Sequence, residues 1–208
     1  MSELGRRERN KVEKLTRILD SARAVFAEKG EAAATTAEIA DRADVSHATL
    51  FRYAATKAEL FIMVGNESLA RAIDRGIAAA ANQTAPLDRL QALIAPVVGD
   101  GWSLPNLAAY QRRVVDGSAS GDQRDIALHM VQQIVDQVAS ILTEAWQGPG
   151  PAPAAEPAAR AIYAAIHLEV LGAERDERRR ANFLADIRAQ AEIILRGYLT
   201  TPPERTTP

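Results

Sequence analysis

Thr35 to Leu60 reads TTAEIADRADVSHATLFRYAATKAEL, and the fold of the chain turns on this stretch. Thr35 and Glu38 have the spacing of a capping box, in which the hydroxyl takes an orphan amide and the carboxylate reaches back. A helix is predicted from there to about Ala43, with Ile39 and Ala40 turned inward; Ala40 is small enough for a crossing helix to come close. Asp44-Val45-Ser46 forms the turn, and Ser46 is placed to cap a second helix over His47–Tyr53, pinned on its inner side by Val45 and Leu50. Thr56 with Glu59 repeats the capping box and opens the next helix. Two short helices joined by such a turn make a helix-turn-helix, whose second helix enters the DNA major groove.

On that second helix His47, Thr49 and Arg52 lie on the outer side. A His or Arg there donates to guanine, and a Thr methyl touches thymine. Thr36, Ser46, Tyr53 and Lys57 suit phosphate contacts, from hydroxyls and a cation near helix starts. Thr36 and Ser46 serve equally well as caps alone, and Tyr53 as core.

The segment resembles the DNA-binding motif of the TetR family of transcriptional repressors. The residues that carry the likeness are Thr36, Ile39, Ala40, Ala43, Val45, Ser46, Thr49, Leu50, Phe51, Tyr53, Lys57 and Leu60, in the first quarter of the chain. Three positions depart from the family pattern: Asp44 stands where Gly is usual, Phe51 replaces a Tyr whose hydroxyl could bind phosphate, and Ala54 replaces an aromatic. The resemblance implies a dimeric repressor that a small molecule releases from DNA by shifting the long helix from Lys57.

Composition agrees. The 208 residues are 47% hydrophobic, enough for a real core, and only 5% aromatic, so large stacking surfaces are not expected. There is no cysteine, which excludes disulfides and thiolate chemistry and fits a reducing cytoplasm. No apolar run is long enough to span a membrane. Net charge is −2, yet residues 1–17 hold six basic side chains against three acids, a basic arm that suits phosphate binding beside the motif. Arg outnumbers Lys twenty-one to four, which points to a bacterium with a GC-rich genome.

The rest of the chain reads as helices. Residues 1–10 are polar and expected to lack structure alone; a first helix follows from about Lys11 to Lys29, closed by Gly30, with Leu15, Ile18, Leu19, Ala22, Val25 and Phe26 in one stripe. A fourth helix from Lys57 reaches about Ala80, with Gly65 and Gly76 as weak points. Pro86 opens the next, Pro96 should kink or end it, and Gly99-Asp100-Gly101 stops it. Leu104–Asp116 is helical, then a loop runs from Gly117 to Asp122. Asp125–Trp146 is apolar nearly all round, as in a buried helix. Gln147–Pro157, with four prolines, should be an exposed, mobile loop. Helices at 158–173 and 181–199, joined by a charged turn at 174–180, complete an all-α fold.

The expected division is a DNA-binding domain over 1–56 with its basic arm, a ligand-binding and dimerisation domain over 57–200, and a tail at 201–208. The partner would be a palindromic double-stranded operator, since one helix-turn-helix reads a half-site and two span a palindrome. The helices at 158–173 and 181–199 would supply the homodimer as a four-helix bundle. Polar residues within apolar helices mark candidate ligand contacts: Trp102, Tyr110, His129, Gln133, Gln137 and His167. Few charges among them favour a largely apolar small molecule. No cofactor or metal is expected, because the three histidines are scattered and no His-Glu-x-x-His or Gly-x-Ser-x-Gly occurs. An architectural or ligand-independent dimeric DNA-binding protein is the alternative, and a helical enzyme a remote third.

Overall fold

The computed structural model describes residues 3–99, 102–115 and 121–200, the side chains of 3–7 excepted. These residues form nine α-helices and no strand. The expected stop at residues 100–101, most of the loop at 117–122 and the tail at 201–208 lie outside the described residues. Two compact units form, and they do not follow chain order: residues 1–68 pack with 105–127, and 69–104 with 128–208.

In the first unit α1 (Glu3–Ala33) buries Ile18, Leu19, Ala22, Val25 and Phe26 of the expected stripe, while Leu15 at its start is half-buried. It begins well before Lys11, because Glu3–Asn10 contains no proline and is rich in Arg and Glu, both good helix formers. Gly30 interrupts it at φ 77°, a conformation that glycine adopts at no steric cost. Next come α2 (Thr36–Arg42), α3 (His47–Phe51) and the first half of α4 (Lys57–Ala80). Ile39, Ala40, Leu50, Leu60 and Phe61 are buried among them, and Phe26 meets Phe61 edge to face at 5.0 Å. Such a ring pair adds ~1 kcal/mol beyond the area it buries. The unit is completed by α6 (Leu104–Val115), which buries Asn106, Leu107, Ala108, Tyr110 and Val114, and by the start of α7 (Asp122–Ala145).

The second unit holds the rest of α4 and α7, with α5 (Pro86–Gly99), α8 (Glu156–Arg175) and α9 (Glu177–Leu199). Here local signals gave way to packing. Gly76 does not interrupt α4; the helix runs through it, and a Cβ there would collide with the Leu93 carbonyl of α5. Glycine therefore lets two backbones touch. Pro96 neither ends nor stops α5, which continues to Gly99. α7 is not apolar all round: Met130, Ile134, Val138 and Ile141 are buried, but Ile126, Leu128, His129, Gln132, Gln133 and Asp136 are exposed. It is an amphipathic helix with one wet face.

The α8–α9 junction is tighter than expected. α8 continues to Arg175, and Asp176 alone reverses the chain, its carboxylate accepting the Arg178 amide at 2.8 Å as the cap of α9. The two helices pack along Ile162, Ile166, Val170 and Ala173 against Phe183, Ile187, Ala191 and Leu195. The proline-rich segment before α8 is held rather than loose: the Tyr198 hydroxyl donates to the Pro153 carbonyl at 2.9 Å, Trp146 lies against Tyr198, and Ala155 is buried. Among the described residues no helix is long and apolar enough to cross a membrane.

Candidate nucleic-acid interface

The cap of α2 forms as its residues dictate. Thr35 Oγ1 accepts the Glu38 amide at 3.2 Å, and Glu38 accepts the Thr35 amide at 3.1 Å. Lys29, first, and then Thr35 hold the Glu38 carboxyl below the usual 4.5. At the turn Asp44 adopts φ 51°, the left-handed conformation that Asp visits more readily than most residues. The Val45 amide then reaches the Ala40 carbonyl at 3.0 Å and closes the turn. Ser46 caps α3 by accepting the Thr49 amide at 3.1 Å, and the two hydroxyls also pair at 2.8 Å. So the Thr49 hydroxyl belongs to the cap, and the residue is half-buried.

Leu50, fully buried, sets which way α3 faces. Ala48 and Arg52 point opposite to it and are exposed. His47 and Phe51, one turn apart, flank them as an edge-to-face pair with ring centroids at 4.6 Å. His47 Nε2 is 2.9 Å from Thr36 Oγ1, so α2 fixes the ring that α3 presents. Ala48 and Phe51 complete this face; counting turns from Leu50 would have found both. The arrangement offers hydrogen-bond donors, a guanidinium and an apolar ring on a convex helix, which suits base edges.

Of the phosphate candidates, Thr36 engages His47 and Ser46 is the cap. Tyr53 is half-buried, its hydroxyl 3.4 Å from the Lys11 carbonyl, a long reach for such a bond. Lys57 is turned inward. Its Nζ donates to the carbonyls of Glu31 at 2.8 Å, Ala32 at 3.3 Å and Ala34 at 3.0 Å. An ammonium has three donors, and all three are spent on the broken end of α1. Along α1 the side chains of Arg9, Lys11, Lys14 and Arg17 are exposed.

The frame behind this face is polar and buried. Gly30 leaves backbone groups without helical partners, and Asn106 of α6 supplies them: its Nδ2 donates to the Phe26 carbonyl at 2.8 Å, and its Oδ1 accepts the Glu31 amide at 3.2 Å. Arg113 pairs with Glu31 at 2.7 Å. Asn66 of α4 accepts the Tyr110 hydroxyl at 2.7 Å and donates to the Gln123 carbonyl at 2.9 Å.

Of the ligand candidates, Tyr110 is spent on Asn66, and His129 and Gln133 are exposed on α7, contrary to their expected burial. Trp102, Gln137 and His167 are half-buried; His167 Nδ1 is buried without a partner, and burial lowers the pKa of the ring. A cavity between α5 and α9 is lined by none of the six and has about 30 Å³, room for one water. Among the described residues no three His, Asp or Glu side chains converge on a metal position.

Residues 18–64 match the family model described as bacterial regulatory proteins, tetR family. No curated protein matches the chain. The fold is similar to a transcriptional regulator from Rhodococcus sp. Rha1, with 20% identity, TM-score 0.62, and 90% of this chain and 98% of that one covered. It is also similar to Thermus thermophilus FadR, a TetR-family transcriptional repressor in complex with lauroyl-CoA, at 19% identity and TM-score 0.65, covering 93% and 98%. Bacillus subtilis FadR in complex with stearoyl-CoA gives 19% identity and TM-score 0.58, covering 89% and 98%.

Proposed function

We propose that this chain, a TetR-family DNA-binding transcriptional regulator, is a repressor that binds a palindromic operator as a homodimer and is released by a small molecule. One observation carries the reading: the helix-turn-helix is fully capped, and its α3 presents His47, Ala48, Phe51 and Arg52 outward. His47, Thr49 and Arg52 face base edges, and Thr36, Ser46 and Tyr53 approach phosphates with the cations of α1. Lys57 acts from inside, holding the end of α1 against the start of α4.

The dimer would form through α8 and α9. Beyond the face each uses on the other, they expose Leu168 at 65% and Ile193 at 71%, flanked by exposed Ala161, Ala164, Ala185 and Ala189. Small residues around a large apolar one let helices from a second copy approach closely, and a two-fold axis places each face on its equivalent. Residues 57–200 would also take the effector. The acyl-CoA complexes of the two FadR proteins support a ligand with a long apolar chain, there joined to a charged CoA carrier, and we place Trp102, Gln137 and His167 among its contacts. The released state must bind that ligand more tightly than the DNA-bound state does. The cytoplasm of a bacterium is where such a protein would act.

The test is selection of bound sequences from a random duplex pool at fixed salt. A palindrome with half-sites about one helical turn apart is expected, ~34–36 Å between reading helices. No enrichment over random duplex would overturn the reading. Titrating long-chain acyl-CoA into the selected complex then separates regulator from architectural protein: affinity for DNA falls in the first and is unchanged in the second.

A further inference from the structure

We propose that Phe51 is a specificity-determining residue that reads thymine through its C5-methyl group. The inference rests on the DNA-binding reading above and assigns one recognition element within it. Phe51 lies at the end of α3 and is 39% exposed, on the helix whose inward positions Leu50 and, just beyond, Ala54 already fill. The core has no use for the exposed part of this ring. Phe51 bears no hydroxyl, so it can form no bond to a phosphate oxygen. In the major groove the base edges offer donors and acceptors and one apolar group, the thymine methyl.

Its neighbour narrows the position. Phe51 stands one turn from His47 with the rings edge to face at 4.6 Å, and His47 is in turn held by Thr36 at 2.9 Å. Two rings fixed against each other cannot move independently. With Nε2 engaged by Thr36, Nδ1 is the nitrogen left for a base. The pair therefore presents a polar ring edge beside an apolar one, which fits a thymine methyl next to a base that His47 can hydrogen-bond. Ala48, on the same exposed face, is too short to reach as far.

The experiment begins from the selected duplex. Each thymine of a half-site is replaced in turn by deoxyuridine, which removes the methyl and leaves the pairing edge intact, and affinity is read by fluorescence anisotropy at one salt concentration. The wild-type protein should lose about fourfold at a single position per half-site, the effect of one methyl withdrawn from an apolar contact. Phe51→Ala should bind the thymine and uracil duplexes equally there, and Phe51→Tyr, which keeps the ring, should still discriminate. If no thymine is sensitive in the wild type, or Phe51→Ala keeps the same sensitivity, the assignment is wrong although a sequence was selected. Failure to select any sequence instead overturns the DNA-binding reading beneath it. Thr49→Ala, which removes the other methyl reader on α3 and leaves Phe51 in place, should keep the sensitivity at that thymine; its loss there would assign the contact to Thr49 instead.

Discussion

Between Thr35 and Thr49 the caps and the turn join residues three to five apart: Thr35 to Glu38, Ala40 to Val45, Ser46 to Thr49. In the second unit the deciding contacts reach much further, from Glu169 to Gln190 across the α8–α9 hairpin and from Arg89 to Glu144 between α5 and α7. The difference teaches what each region has left over. Short-range caps settle α2 and α3 with side chains near the helix starts, and the outward face of α3 stays available. Long-range packing takes the inner faces of α8 and α9, leaving Leu168, Leu184 and Ile193 exposed on the outer ones.

Gly76→Val should have the largest effect, because the collision is with the backbone of Leu93 and no rotamer relieves it. A loss of about 3 kcal/mol in urea unfolding is expected. An unchanged midpoint would remove close helix approach from the account of the second unit. Lys57→Met keeps the apolar stem and strips three bonds from the end of α1, for a loss of ~2 kcal/mol. The slope of log affinity against log salt should not change, whereas a phosphate contact would lower it by ~0.9. A fall of that size would return Lys57 to the DNA surface.

Ser46→Ala should cost ~1 kcal/mol as a lost helix cap. Loss of DNA affinity should exceed the loss of folded protein, because Ser46 also approaches a phosphate; a matching loss would leave it a cap alone. The smallest effect comes from acid. Glu38 has a lowered folded pKa, so its support of α2 is complete above the ordinary 4.5 and fades as pH falls through the folded value. A titration in which Glu38→Gln shows the same acid loss as the wild type would exclude this carboxylate as its source.

The same contrast explains how far the sequence could be read. Thr35, Glu38 and Ser46 act on neighbours, so spacing alone predicted their bonds, and Asp44 took the left-handed turn without a glycine. Gly76 and Pro96 look like breakers by local rule, but α4 and α5 run through both, and at Gly76 the missing side chain is what the packing requires. His129 and Gln133 sit in an apolar stretch, and only the folded helix reveals that their side of α7 faces water. Lys57 carries the spacing of a surface cation. What turned it inward was the carbonyl cluster created by a glycine twenty-seven residues earlier.

Asn106 closes the broken end of α1 from a helix far along the chain, and Tyr110 and Gln123 do the same for Asn66. The DNA-facing half is therefore not a detachable cassette. A fragment ending at residue 68 strands the Phe26 carbonyl, the Glu31 amide and the Asn66 side chain. A ribosome cannot finish this half until α6 has emerged. Hybrid regulators assembled from this gene should carry residues 105–127 along with the first 68, because a graft that cuts between them separates a keystone from its arch.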